Sequence, residues 1–254
     1  MASRKEEKEN LRRQREEAER SEQAAARRQK LFAGIGIAVL AAVAVVVGLV
    51  IASQSGDDNG GGNGAAGADA VQSELAGVPQ KGTVLGKAGT DVRIVEFGDL
   101  QCPACAQFSE SVIPDLIDGP VKSGDAQLEF QHFVIIGPDS DIAARAALAA
   151  SEQDRYWEFI ELFYRNQGVE NGGYVTEEFL TDIATGAGVE DLDAWNASRE
   201  DPKWERAIAD TQSEAATLGL SGTPSIVVEG PGGTEVLGTP GSAGEIEAAI
   251  DSVR

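Results

Sequence analysis

The residues best suited to chemistry are the two cysteines of this 254-residue chain, three positions apart in Cys102-Pro103-Ala104-Cys105. Two cysteines make no disulfide framework. A bridge between them would close a loop so short that it constrains the unfolded chain by only about 2 kcal/mol, so a structural purpose explains the pair poorly. As a zinc half-site it would need two more ligands. The chain offers one histidine, His132, and no second cysteine pair, so no metal is expected. Redox use fits better than a metal site or an inert pair. Thiol–disulfide exchange needs one thiolate that attacks and a second thiol near enough to displace whatever the first has bound.

Position gives the pair its roles. VRIVEF, Val92–Phe97, reads as a strand, and the segment after Cys105 reads as a helix through Phe108, Val112 and Ile113 towards Ile117, with a kink expected at Pro114. A cysteine at the first turn of that helix faces unpaired backbone N–H groups and the positive end of the helix dipole, both of which favour a thiolate. Cys102 is therefore the expected nucleophile, and Cys105, one turn further in, the expected resolving thiol. Pro103 at the helix start costs no backbone hydrogen bond.

The elements that must position this motif follow in order. Leu128–Ile136, LEFQHFVII, reads as a second strand that becomes buried on both faces by its end. Residues 138–222 carry helical periodicity over Ile142–Gln153, Trp157–Asn166, Thr176–Thr185, Leu192–Ser198 and Trp204–Leu218. Strand character then returns in Ser225–Glu229 and Glu235–Leu237 about a Pro-Gly-Gly-Thr turn, before a last helix over Ser242–Val253. His132 reads as a hydrogen-bonded core or edge residue, and Asp99 as an exposed loop residue.

The formal net charge of −21 is unevenly spread: residues 1–30 carry +3 and the remaining 224 carry −24. So acidic a chain excludes nucleic acid as an obvious partner. Between the two parts, Leu31–Ala52 runs for 22 residues without a charge, roughly 33 Å as a helix and enough to cross a bilayer. Arg27, Arg28 and Lys30 flank its start and Asp57 and Asp58 follow its end, which predicts a cytoplasmic N-terminus. The expected organisation is a charged cytoplasmic tail over 1–30, a transmembrane helix over 31–52, a flexible Gly-, Asn- and Asp-rich tether over 53–70, and a folded domain over 71–254 with a helical insert at 138–222.

VEFGDLQCPACAQF, Val95–Phe108, together with Gly222-Thr223-Pro224-Ser225 about 120 residues later, resembles the thioredoxin superfamily and its DsbA-like branch. The resemblance covers about residues 82–253 and implies an α/β thioredoxin fold with a helical insertion, here preceded by one transmembrane helix. It implies that Cys102 attacks and Cys105 resolves. It also implies that Thr223 and Pro224 form a loop with a cis peptide bond beside the cysteines, leaving the backbone before Pro224 free to pair with an extended substrate. Glu96, six positions before Cys102, matches a buried acid that exchanges protons with the resolving cysteine. The chain departs from the branch at Ala104, where strongly oxidising members often have histidine. A missing cation there predicts a less depressed Cys102 pKa.

These readings predict a bacterial cell-membrane thiol-disulfide oxidoreductase with its catalytic domain outside the cytoplasm. Its expected partners are thiol-containing protein clients and a membrane redox protein that resets the cysteines, with no organic cofactor. The same residues would serve a reductase or isomerase, and a thioredoxin-like binding module would keep the fold without using the thiols.

Overall fold

The computed structural model describes residues 65–254. The expected tail, the expected span and nearly all of the expected tether lie outside the described residues. Among the described residues no helix is long and apolar enough to cross a membrane.

Order begins earlier than the composition of the tether suggests. The Ala65 N–H donates to the Asp182 carbonyl at 3.4 Å and the Ala66 N–H to Asn166 Oδ1 at 3.1 Å. Helix α1, Ala68–Leu75, then buries Val71 and Leu75, four apart on one face. That small apolar pair was masked by the Gly- and Ala-rich surroundings, so the stretch up to Ala70 is not tether throughout.

The sheet runs in the order β1-β2-β4-β3-β5-β6: β1 is Gln80–Lys81, β2 Val84–Leu85, β3 Arg93–Gly98, β4 Gln127–His132, β5 Ser225–Gly230 and β6 Gly233–Gly238. Strands β3 and β4 are parallel, linked through α2 (Pro103–Ser111), α3 (Ile113–Leu116) and a π-helical turn (Ile117–Val121). The break between α2 and α3 falls at Val112, two residues before Pro114, because proline obstructs the turn preceding it. Strand β5 pairs antiparallel with β3 and forms a hairpin with β6.

Central strand β3 is buried on both faces. Ile94 looks into the larger core, whereas Val95 and Phe97 pack with Phe133, Val227 and Ala215 on the other side. Strand β4 alternates, with Leu128, Phe130 and His132 buried and the residues between them half-buried. It ends at His132, four residues short of the strand expected to reach Ile136. Strand β3 ends at Gly98, so the Phe133 N–H donating to the Gly98 carbonyl at 2.9 Å is the last interstrand bond available.

The helical segment comprises α4 (Pro138–Ser151), α5 (Tyr156–Arg165), α6 (Glu177–Gly186), α7 (Leu192–Ser198) and α8 (Pro202–Leu218); α9 (Ala243–Val253) follows β6. Caps set several starts: Thr176 accepts from the Phe179 N–H at 3.1 Å and Asp201 from the Lys203 N–H at 2.8 Å, each worth about 1 kcal/mol. Helix α5 is buried from Tyr156 to Tyr164 and fixes the helices to the sheet. Its Tyr156 hydroxyl donates to the Phe130 carbonyl at 2.9 Å, and the Trp157 indole N–H donates to the Thr83 carbonyl at 3.1 Å.

Candidate active site

Cys102 is the N-cap of α2, in an extended conformation directly before Pro103. Both cysteines are free thiols. They differ in access: Cys102 keeps 7% of its surface, Cys105 none, and Pro103 and Ala104 between them are exposed. The peptide bond between Thr223 and Pro224 is cis. Across the junction the Thr223 carbonyl accepts from Cys102 Sγ at 3.4 Å. The loop carrying Thr223 and Pro224 thus lies against the more accessible sulfur.

The two thiols are electrostatically opposite. The Cys102 pKa is lowered to about 6, first by a hydrogen bond from the Cys105 side chain, then, against the cost of burial, by the Thr223 side chain and by the backbone of Cys105 and Ala104. These donors are the open amides of the helix start acting together with two neighbouring side chains. No cation contributes, so the depression survives alanine at position 104. Burial pushes the Cys105 thiol strongly up, and the Cys102 sulfur and Glu96 add to the rise.

Glu96 is buried at 1% exposure, and its Oε1 has no hydrogen-bond partner. Its pKa is raised well above the carboxylate range by burial, then by Glu161 and Cys102. Gly98, two residues on, allows this arrangement: a Cβ there would sit 2.5 Å from the Phe130 ring, which lies across the sheet at that point.

Asp99 is buried at 1% exposure rather than displayed on the loop. One oxygen accepts from the Gln101 N–H at 2.9 Å and the other from the N–H groups of Ile135 and Ile136 at 2.9 and 3.1 Å. It supplies the partners that β4 lacks once β3 has ended, and so ties the cysteine loop to the segment after that strand. Its backbone carbonyl accepts from the Tyr164 hydroxyl at 3.3 Å. Gln167 braces the loop from the helical side, donating to the carbonyls of Leu100 at 2.7 Å and Cys102 at 3.2 Å.

His132 is buried, but neither ring nitrogen has a hydrogen-bond partner, contrary to the hydrogen-bonded residue expected. Edge-on rings of Phe130 and Tyr156, with centroids 5.0 and 5.7 Å away, surround it instead, and burial lowers its pKa to about 3. Sequence reading missed Glu161. Its signal is visible in hindsight as a lone carboxylate in Phe-Ile-Glu-Leu-Phe, a stretch apolar on every helical face. Among the described residues, no group of three or more His, Cys, Asp or Glu side chains converges as a metal site would.

A central sheet, a CxxC motif capping a helix and a cis-proline loop beside it define the thioredoxin class of redox proteins. The chain belongs to the thioredoxin family, whose model matches residues 79–252, and is a thiol-disulfide oxidoreductase of its DsbA type. It is 32% identical over 149 residues to a probable disulfide bond formation protein D of Bacillus anthracis, covering 58% of this chain and 69% of that one. The fold is similar to oxidised BdbD from Bacillus subtilis, with a TM-score of 0.60 and 24% identity over 66% of this chain and 90% of that one. It is also similar to a thioredoxin-like oxidoreductase from Silicibacter pomeroyi, with a TM-score of 0.56 and 30% identity over 71% and 95% of the two chains.

Proposed function

We propose that the chain is a membrane-anchored oxidase that introduces disulfides into thiol-containing proteins outside the cytoplasm. The observation that carries this direction is the contrast between the two sulfurs: Cys102, buried but keeping 7% of its surface, has a pKa of about 6, whereas Cys105 is sealed and pushed up. Stabilising the Cys102 thiolate stabilises the reduced pair, which makes the disulfide a stronger oxidant.

With the Cys102–Cys105 disulfide formed, a client thiolate attacks Cys102 Sγ. The electron pair of the broken S–S bond leaves on Cys105 Sγ, which takes up a proton, and a mixed disulfide joins client and Cys102. A second client thiolate then attacks the client sulfur of that bond and releases Cys102 as a thiolate. The client has lost two electrons and the cysteine pair has gained them. In this direction Cys102 carries the attacked sulfur and is then the leaving group, Cys105 is the first leaving group, and Glu96 the local proton donor; in the reverse direction Cys102 attacks and Cys105 resolves. Thr223 and Pro224 present backbone to an extended client segment.

A membrane redox partner that accepts the two electrons returns the pair to its disulfide. The apolar run Leu31–Ala52 and its flanking charges support an anchor with the N-terminus inside, and the tether after it would hold the domain near such a partner at high local concentration. The test is equilibration of the full chain with a graded glutathione redox series, read by thiol alkylation. A potential well above thioredoxin's roughly −270 mV is expected; a value near it favours the reductase direction and overturns this one. In parallel, a Cys105→Ser variant should accumulate client adducts linked through Cys102. Partner retention by a chain with both cysteines changed to serine would instead indicate a binding module.

A further inference from the structure

Gln101, buried one residue before Cys102, ties two surface loops to the cysteine loop. Its Nε2 donates to Ser140 Oγ at 3.2 Å, and its Oε1 accepts from the Asn171 N–H at 2.9 Å. Residues 133–137 are held a second time, through the Ile135 and Ile136 amides on Asp99, and residues 167–173 through Gln167 on the Cys102 carbonyl. The two loops also meet each other: a Cβ on Gly137 would lie 2.5 Å from Asn171 Oδ1. Both therefore border the segment that carries Cys102.

This surface is apolar and acidic at once. Of the four large apolar side chains exposed among the described residues, Ile135 (45%) and Val169 (80%) stand on these loops, and Ile142 lies one turn along α4 from Asp139. The half-buried Asp139 and the exposed Glu170 have no cation as partner among the described residues, whereas the nearby Asp141 and Glu177 pair with Arg145 and Arg199. The sequence brings no positive charge to the neighbourhood. Lys and Arg are absent from 94–121, 127–144, 166–198 and 207–253, the stretches that carry the cysteines, both loops and Thr223-Pro224.

We propose that this surface receives the client and selects it by charge: the preferred substrates are extended protein segments whose reacting cysteine is flanked by Lys or Arg and by a large apolar side chain. The cation faces Glu170 and Asp139, and the apolar side chain covers Val169 and Ile135. The inference rests on the function proposed above and names its substrate class. Apolar contact alone would serve any unfolded chain; a surround without cations favours basic ones. The attacking group of the client is a thiolate, an anion approaching an acidic face. A Lys or Arg beside it offsets that repulsion and lowers the thiol pKa, so the client itself supplies the positive charge that the site lacks. The bonds formed and broken are those of the exchange written above.

The test uses the full chain in detergent with the Cys102–Cys105 disulfide formed. Reduced two-cysteine peptides flanked by Lys or by Glu are added, and their oxidation is followed by mass spectrometry. The same peptides reacting with hydroxyethyl disulfide give the preference that arises in the peptide alone. Relative to that reference, the lysine peptide should react about tenfold faster than the glutamate peptide at low salt, narrowing to about twofold in ~1 M salt. Asp139→Lys together with Glu170→Lys should abolish the preference; because a ratio is read, any common effect of these charges on Cys102 cancels. Val169→Ser should slow a leucine-flanked peptide about fivefold and leave a serine-flanked one unchanged. A ratio equal to the hydroxyethyl disulfide value, a ratio that survives in the charge-reversed variant, or a leucine peptide unaffected by Val169→Ser overturns the proposal. Oxidation of neither peptide overturns the functional reading itself, whereas oxidation of both at the reference ratio overturns this inference alone.

Discussion

The Cys102 sulfur rests 3.4 Å from the backbone carbonyl of Thr223, a residue 121 positions further along the chain. The contact joins two segments far apart in the chain at the point where chemistry is possible. It also places the Thr223 side chain among the donors that hold the Cys102 pKa near 6.

Replacing Thr223 by valine removes that donor while keeping the branched shape. A hydrogen bond to a charged group contributes roughly 1.5–3 kcal/mol, so the alkylation midpoint of Cys102 should rise by about one to two pH units. The pH dependence of iodoacetamide labelling reads this directly, and an unchanged midpoint would assign the depression to the helix amides alone.

Asp99 holds three backbone N–H groups with one carboxylate. Asp99→Ala leaves them without partners in a part-buried region and should destabilise the fold by roughly 2–4 kcal/mol in urea unfolding. Asp99→Asn retains one acceptor oxygen and should lose less. Equal losses in the two variants would mean that the carboxylate's double acceptance is not what secures the loop.

His132 makes the domain acid-sensitive. Its folded pKa is depressed to about 3 from an ordinary 6.5, so between these values the unfolded chain binds a proton that the folded chain does not. Stability therefore falls as pH drops through 6.5 towards 3, by roughly 4–5 kcal/mol in all and by about 2 kcal/mol near pH 5. His132→Phe lacks this slope. Comparing the pH dependence of urea unfolding in the two chains isolates it, since any packing change shifts both ends of the curve equally. Parallel curves would show that His132 is not buried neutral.

The candidate site residues were legible in the sequence because their signals are local. A CxxC pair between an apolar strand and a helical period, and a Thr-Pro before another strand, each announce themselves within a dozen residues. The hairpin and the helices of the insert follow from turn residues, caps and periodicity in the same way. What was hidden depends on partners far along the chain. Asp99 reads as an exposed loop acid because the amides of Ile135 and Ile136 that it serves belong to a segment whose strand stops early. That stop is itself set by the end of β3, which no pattern in LEFQHFVII records. Likewise Ser109 and Glu161 meet only when α2 and α5 pack, and the orphaned ring of His132 is visible only among the aromatic residues that enclose it.

The most direct test concerns the asymmetry of the two sulfurs. In the reduced full chain, the rate of alkylation is followed against pH with mass-spectrometric assignment of each modified cysteine. One titration is expected, at Cys102, with a midpoint near 6, and no modification of Cys105 until the fold is disrupted. A Cys102 midpoint at the ordinary thiol value of about 8.5, or modification of both cysteines at similar rates, would contradict it.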